Sequence, residues 1–335
     1  MHPSFILVGR LAREYILPAE GQPLLDSPGG NLLYAAGGLA VWDMRLGLVG
    51  RIGEDTPRRW LEDFQSRGFD VSGIRVQPGE LDLRSFLAYT ETFEPDNSNL
   101  VSHFARRGIP FPKALLGFQP RGAERTTSPR GKPDSASPIL SDLPAEYMDA
   151  GALHVCPLDL TAHLQFMDSL RAAMRILTLD PSAAYMVPAS MRDVRAVCNG
   201  LTAFMPSLEE ITSLFWGQTH DVWEMAEALG EFGCEYIAVK CGANGQLLYD
   251  AVNKRRYEIP SYPVRLTDPT GAGDAFCGGF LAGYRKDYDP LEGALYGNVS
   301  ASLAVEGSGP FYPLECLPGL AQARLESLRE MVRRI

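Results

Sequence analysis

The sequence predicts an α/β protein whose largely parallel sheet is covered by helices on both faces. Three observations carry this expectation. Short apolar runs alternate with amphipathic stretches over most of the length, the pattern of strands joined by helical crossovers. The chain has 335 residues, 45% hydrophobic and 21% charged, which suits a large buried core rather than disorder. Its strongest local signal is a glycine-bearing turn entering a helix of small residues, Asp268-Pro269-Thr270-Gly271-Ala272-Gly273-Asp274.

Taken in order, Ser4 to Gly9 reads as a buried strand, Asn31 to Trp42 as a helix and Arg45 to Gly50 as a second strand. Thr56 to Arg67 reads as a helix with Thr56 as N-cap, Pro57 in the first turn, Trp60, Leu61 and Phe64 on one face, and Gly68 as terminator. Strands are expected at 152–156, 175–179, 202–205, 236–240 and 263–266. Helices are expected at 160–174, 189–198, 208–215 and 222–232. Asn244-Gly245 signals a hairpin into Gln246 to Tyr249. Three helices, 272–285, 291–305 and 322–334, close the chain. Two regions break the alternation. Arg13 to Leu17 and Leu83 to Thr92 suit a small side sheet, and the segment 118–138, rich in Pro, Ser, Gly and Arg, reads as an exposed loop. Its basic residues Arg121, Arg125, Arg130 and Lys132 suit either solvent or an anion.

Composition excludes several functions. Thirty-one basic against 41 acidic residues give a net charge of −10, which disfavours binding along a nucleic-acid backbone. The longest uncharged stretches, 32–42 and 275–284, are too short to span a bilayer. No signal-peptide pattern opens the chain, and six scattered cysteines suit reduced thiols, so a cytoplasmic location is expected.

The turn at 268–274 carries the chemistry. Glycines let a backbone approach an anion, and the first amides of a helix point outward toward negative charge. A carboxylate at 274 gains nothing there unless it has a task, such as taking a proton from a group that attacks phosphorus. By itself, the same segment also fits a tight turn whose Asp favours the first helical turn. No Rossmann fingerprint, P-loop or protein-kinase motif is present.

Asp268 to Asp274, continued by Ala275-Phe276-Cys277-Gly278-Gly279-Phe280, resembles the C-terminal signature of the ribokinase-like (PfkB) carbohydrate kinases. The resemblance extends over nearly the whole chain. Gly29-Gly30-Asn31, the stretch Arg45 to Asp55, Gly68 to Ser72, Pro206 to Glu210, and Val239 to Gly245 resemble the family's other motifs. It implies a three-layer α/β sandwich in one domain with a small β lid from about 11–26 and 81–103. It implies ATP- and Mg²⁺-dependent phosphorylation of a hydroxyl on a sugar or nucleoside-like molecule. Asp274 would be the base, and the amides of Gly271, Ala272 and Gly273 would hold the phosphoryl group. Glu210 would position Mg²⁺; Lys240, Gly242, Gly245 and Asn298 would lie near the nucleotide. Gly29, Gly30, Asn31 and Glu14 would bind the acceptor. A monovalent cation such as K⁺ near the turn, and a homodimer through an exposed lid sheet, are further expectations.

Some of these residues have plainer readings. Ser207 and Glu210 also form a capping-box pattern. Glu14, where the family has Asp, suits either an acceptor hydroxyl or surface pairing with Arg13, and Asn298 suits an exposed helix position equally well. His103, Arg106 and Arg107 suit solvent or an anionic substrate, and His154 a core position. Ala12, Tyr34, Ser207 and Pro269 depart from the family pattern, and the changes at Ala12 and Tyr34 point to an altered acceptor. They also leave open a sugar- or nucleotide-binding sensor, or a vitamin or pyrimidine kinase of the same superfamily.

Overall fold

The structure is a computed structural model that describes residues 3–119 and 134–335. One face-covered sheet of ten strands dominates it. Its strands are β1 (Phe5–Val8), β4 (Leu46–Gly53), β5 (Asp70–Gln77), β7 (Ala152–Val155), β8 (Ile176–Leu179), β9 (Ala203–Phe204), β10 (Tyr236–Lys240), β11 (Gln246–Asp250), β12 (Arg255–Ile259) and β13 (Arg333–Arg334), in the order β13-β12-β11-β10-β9-β8-β7-β1-β4-β5. The run from β10 to β5 is parallel, and the β10–β11–β12–β13 edge is antiparallel. β1 shows why the sheet needs cover on both faces. Phe5 and Leu7 enter one core while Ile6 and Val8 enter the other, because successive side chains point to opposite faces.

Helices α1 (Asn31–Ala40), α2 (Arg59–Ser66), α8 (Ala272–Asp287), α9 (Pro290–Ala304) and α10 (Leu320–Arg329) pack one face. Helices α4 (Leu160–Leu170), α5 (Met191–Cys198), α6 (Leu208–Leu214) and α7 (Val222–Glu231) pack the other. Each layer adds its own apolar stripe to one face of the same strands.

A second sheet, β3-β2-β6, is built from β2 (Ala12–Leu17), β3 (Leu24–Gly29) and β6 (Arg84–Ala88) and forms the lid. Tyr15, Leu17, Phe86 and Ala88 are buried against Phe104 of α3 (Leu100–Arg106) and against Leu115. The outer cover of the lid therefore comes from the same chain.

Several expectations are corrected. β3, β5 and α3 had no clear signal; β3 contains Asp26, Ser27, Pro28 and Gly29, which read as a turn. α2 starts at Arg59 with no side-chain cap, so Thr56 does not cap it. Residues 263–266 are not a strand, since the chain leaves β12 at Ile259 and runs as loop into the turn. α10 stops at Arg329, and Arg333–Arg334 instead pair with Tyr257 and Glu258 at the sheet edge. Most of 118–138, including its four basic residues, lies outside the described residues. At its described end, Ala136 and Ser137 are buried, so that part is not exposed loop. All six cysteines are free, and four of them are buried. Among the described residues no helix is long and apolar enough to cross a membrane.

α1 and α8 pack almost backbone to backbone. A Cβ at Gly278 would overlap the carbonyl oxygen of Ala35, and one at Gly38 that of Ala275. Neither neighbour is a side chain that could turn away. Gly278→Val should therefore lower stability by about 1–3 kcal/mol or more, the usual scale of overpacking. Thermal unfolding would register this as a lower Tm.

Candidate active site

α1 and α8 both begin at a glycine of positive φ without a capping side chain: Gly30 (φ 92°) and Gly271 (φ 71°). A side chain would be strained at either place. Their close packing brings the two starts together, and Tyr34, one turn into α1, spans the gap. Its ring lies against Gly271, where any Cβ would strike it. Its hydroxyl donates to Glu14 Oε2 at 2.9 Å, and the Gly30 amide donates to Glu14 Oε1 at 2.8 Å.

Glu14 is buried and does not pair with Arg13, which bonds Asp26 instead. Burial pushes the Glu14 carboxyl up to about 7, against the pull of the Gly30 and Tyr34 bonds. Its carboxylate lies against Gly29. Asn31 is also committed to backbone: Oδ1 accepts from the Arg10 amide at 2.8 Å, and Nδ2 donates to Pro157 O at 2.8 Å. Glu14 and Asn31 thus fix the turn that presents Gly29 and Gly30. A cavity of about 370 Å³ opens between Gly30 and Asn31, the lid residues Ser85 and Phe86, and Ser182.

Asp274 lies in the first turn of α8. Burial raises its carboxyl to about 6; Lys240 pulls it down and Glu210 pushes it up. Lys240, the last residue of β10, pairs with Asp180 and has Cys277 Sγ at 3.8 Å. Burial pulls the Lys240 ammonium down, but Asp180, Cys277 and Glu210 outweigh it, so it keeps its proton. Asp180 is pushed up to about 7 by burial, and its Oδ1 is buried without a partner. In the turn itself the Ala272 amide is 3.3 Å from Pro269 O, and Thr270 N donates to Asp268 Oδ1 at 3.0 Å. Asp268 Oδ2 is buried without a partner. The lid reaches the turn through Tyr89, whose hydroxyl is 2.9 Å from Thr270 Oγ1.

A second cavity, of about 340 Å³, lies beyond the turn, with Lys240, Gly242, Ala272, Gly273 and Asn298 in its wall and apolar cover from Val264, Leu266, Phe276 and Val305. Asn298 is buried rather than exposed. Its amide is used within the protein, donating to Gln246 Oε1 at 2.6 Å and Pro260 O at 2.9 Å and accepting from Tyr262 N at 3.1 Å. It shapes the wall. Gly245 (φ 85°) forms the adjoining β10–β11 turn, where a side chain would strike the Ile259 carbonyl. Glu210 does form the capping box: Ser207 N donates to its Oε2 at 2.8 Å, and Glu210 N to Ser207 Oγ at 3.1 Å.

Sequence reasoning missed Asp180, Asp268 as a side chain with a bare oxygen, and Tyr89. Asp180 had a usable signal, a carboxylate just past an apolar strand, because parallel sheets place ligands beyond the carboxyl ends of their strands. His103, by contrast, pairs with Asp96, and His154 is a buried neighbour of Thr178. Among the described residues no three His, Cys, Asp or Glu side chains converge as a metal cage.

Residues 138–316, more than half of the chain, match the family described as pfkB family carbohydrate kinase. The chain belongs to that family: it is a carbohydrate kinase, phosphorylating a sugar or nucleoside-like molecule. It is 26% identical to the cytidine kinase of Thermococcus kodakarensis over 292 residues, covering 86% of this chain and 91% of that one. It is 27% identical to the 2-dehydro-3-deoxygluconokinase of Thermoproteus tenax over 266 residues, covering 78% and 74%. A similar fold is seen in the aminoimidazole riboside kinase of Salmonella enterica, solved with aminoimidazole riboside and an ATP analogue. There the TM-score is 0.65, the identity 18%, and the cover 96% and 99%.

The raised Glu14 carboxyl sets a pH dependence. Its folded value, about 7, exceeds the ordinary 4.5, so the folded state holds the proton more tightly. Its contribution to stability is full below about pH 4.5 and is lost as pH rises through 7. The stability of wild type relative to Glu14→Gln should therefore decline from pH 4.5 to 7 by up to about 1.4 kcal/mol per unit, as measured by denaturant titration at each pH.

Proposed function

We propose that the chain transfers the terminal phosphoryl group of ATP, with Mg²⁺, to a hydroxyl of an acceptor held between the Gly29–Gly30 turn and the lid. The observation that carries this is Asp274, a partly buried carboxylate in the first turn of a helix that has no capping side chain, in the field of Lys240 and next in the chain to Gly273 of the second cavity's wall. As the acceptor oxygen bonds to phosphorus, its proton passes to Asp274. The bond between the γ-phosphorus and the β–γ bridging oxygen breaks, and its electron pair leaves with ADP. The amides of Gly271 and Gly273 would hold the transferring group, that of Ala272 turning to it from Pro269 O, with α8's dipole favouring its charge. Closure of the lid keeps out water, which otherwise competes as acceptor.

The nucleotide fits the apolar cavity beside Gly242, with Gly245 shaping its loop and Asn298 its wall. Mg²⁺ would be held by the nucleotide's phosphates with Glu210 and Asp180, whose bare oxygen and electrostatic contact with Glu210 support this; when bound it would neutralise phosphate charge. Asp268 Oδ2, buried and unpartnered, supports a monovalent cation such as K⁺ beside the turn.

A screen of ATP consumption over sugars and nucleosides tests the reading, with Asp274→Asn as control. That variant should fold and bind ATP but lose roughly 10²–10⁴-fold in turnover. Wild-type turnover should rise with pH through about 6 as Asp274 ionises. Turnover of Asp274→Asn within a few-fold of wild type would remove it as the base. Glu210→Gln separates metal binding from capping, since Gln can still accept from Ser207 N. Its Tm should stay within a few degrees while the Mg²⁺ concentration for half-maximal rate rises. An unchanged Mg²⁺ titration would leave Glu210 as a cap alone.

A further inference from the structure

His163 lies near the start of α4 and is fully buried. Its ring meets two segments that leave the carboxyl ends of neighbouring strands. After β7, Cys156 N is held in the sheet by Val8 O at 2.8 Å, but Cys156 O and Leu158 N turn to the imidazole. Nε2 is 2.9 Å from the first and 3.2 Å from the second. After β8, the Tyr185 hydroxyl is 2.6 Å from Nδ1, with the two rings edge to face. A neutral imidazole ties both segments in either tautomer. With its proton on Nε2 it donates to Cys156 O and accepts from the Tyr185 hydroxyl. With its proton on Nδ1 it donates to that hydroxyl and accepts from Leu158 N. Burial pushes the ring down to about 4, so it stays neutral near pH 7.

Both segments reach the cavity under the lid. Pro157 and Ser182 line it, together with Gly30 and Asn31. Pro157 O accepts from Asn31 Nδ2 at 2.8 Å, and Asn31 opens α1. Tyr185 N donates to Ser182 O at 3.1 Å, closing the turn that carries Ser182. His163 itself lines neither of the two cavities of the site.

We propose that His163 is a positioning residue for the acceptor: by bonding the Cys156–Leu158 segment and Tyr185 at once, it sets the spacing of Pro157, Ser182 and Asn31 on the cavity wall. This rests on the kinase reading above, which gives that cavity to the acceptor. No proton enters or leaves the ring in this role. An apolar side chain of similar size would fill the same space. It would also take this partner from buried backbone of 156–158 and from the Tyr185 hydroxyl, and buried polar groups that lose a partner are costly. Moving a positioning wall by about 1 Å can cost on the order of a hundredfold in rate.

The competing view is a histidine that only completes the core, which predicts lower stability with the site unaltered. Wild type, His163→Phe, His163→Gln and Tyr185→Phe are compared by Tm, by hydrogen exchange, and by steady-state kinetics with ATP and the acceptor found in the screen varied separately. Tyr185→Phe removes one oxygen from a buried ring, so it can be read even where His163→Phe fails to fold.

The acceptor KM should rise roughly ten- to a hundredfold in His163→Phe and about fivefold in Tyr185→Phe, with the KM for ATP within about twofold of wild type. His163→Gln, which keeps a donor and an acceptor, should recover part of the loss. Exchange should quicken at 156–158, 182–185 and 30–31 but not at 271–274. An unchanged acceptor KM in the folded variants would overturn the proposal, and so would a KM for ATP that rises as much as that for the acceptor. A wild type that phosphorylates no acceptor would sink the kinase reading instead. Hydrogen exchange then decides whether His163 holds the wall, and wild-type exchange at 156–158 and 182–185 in the variants would show that it does not.

Discussion

The close approach of α1 and α8 is the constraint on which the site depends. Glycine at 38 and 278 lets the two helices touch along their backbones, and each helix starts at a glycine whose positive φ a side chain would strain. One start lines the cavity under the lid, and the other forms the glycine turn of α8. Their separation is therefore set by helix packing rather than by loops. Tyr34 converts that packing into site geometry, because its ring supports Gly271 while its hydroxyl holds Glu14, and Glu14 in turn holds Gly30. A shift of either helix moves both turns at once.

Charge is arranged on the same principle. The protein is acidic overall, with a net charge of −10, yet its site serves polyanionic chemistry. The conflict is resolved locally. One ammonium pairs with Asp180 in the field of Asp274 and Glu210, and two helices start without a capping side chain. In a water-poor setting a single fixed cation outweighs a diffuse field that salt screens at the surface. Burial raises both Asp180 and Asp274, so proton affinity at the site is tuned near neutrality rather than left at the ordinary carboxylate range.

Much of this was legible in the sequence. The alternation of strands and helices gave the parallel sheet, since FILV at 5–8 can only be covered on both sides. The turn around Gly271 announced itself by composition. What sequence reasoning lost was whatever depends on tertiary partners. β3 is written in turn residues and is a strand because β2 pairs with it. Glu14 was open between a substrate hydroxyl and Arg13; Arg13 pairs with Asp26 instead, and Gly30 and Tyr34 fold onto Glu14 from 16 and 20 residues away. Asn298 suited a surface position as well as a place near the nucleotide, and the loop after β12 crosses over it and buries it. Asp180 was passed over because no glycine or motif drew attention to it. Its meaning comes from Lys240, 60 residues later.

The lid carries its own hydrophobic centre, with Tyr15, Phe86, Phe104 and Leu115 buried among themselves rather than against the main sheet. It is thus a rigid panel hung on the strand ends near Gly9, Gly29 and Leu83. A panel that keeps its shape without the body behind it can be rewritten on its inner surface while the phosphoryl machinery stays untouched. Ser85 lines the cavity under that panel, and Asp274 belongs to the body. On the proposed reading, acceptor choice and phosphoryl transfer therefore rest on separate parts of the fold, and one can change while the other is held fixed.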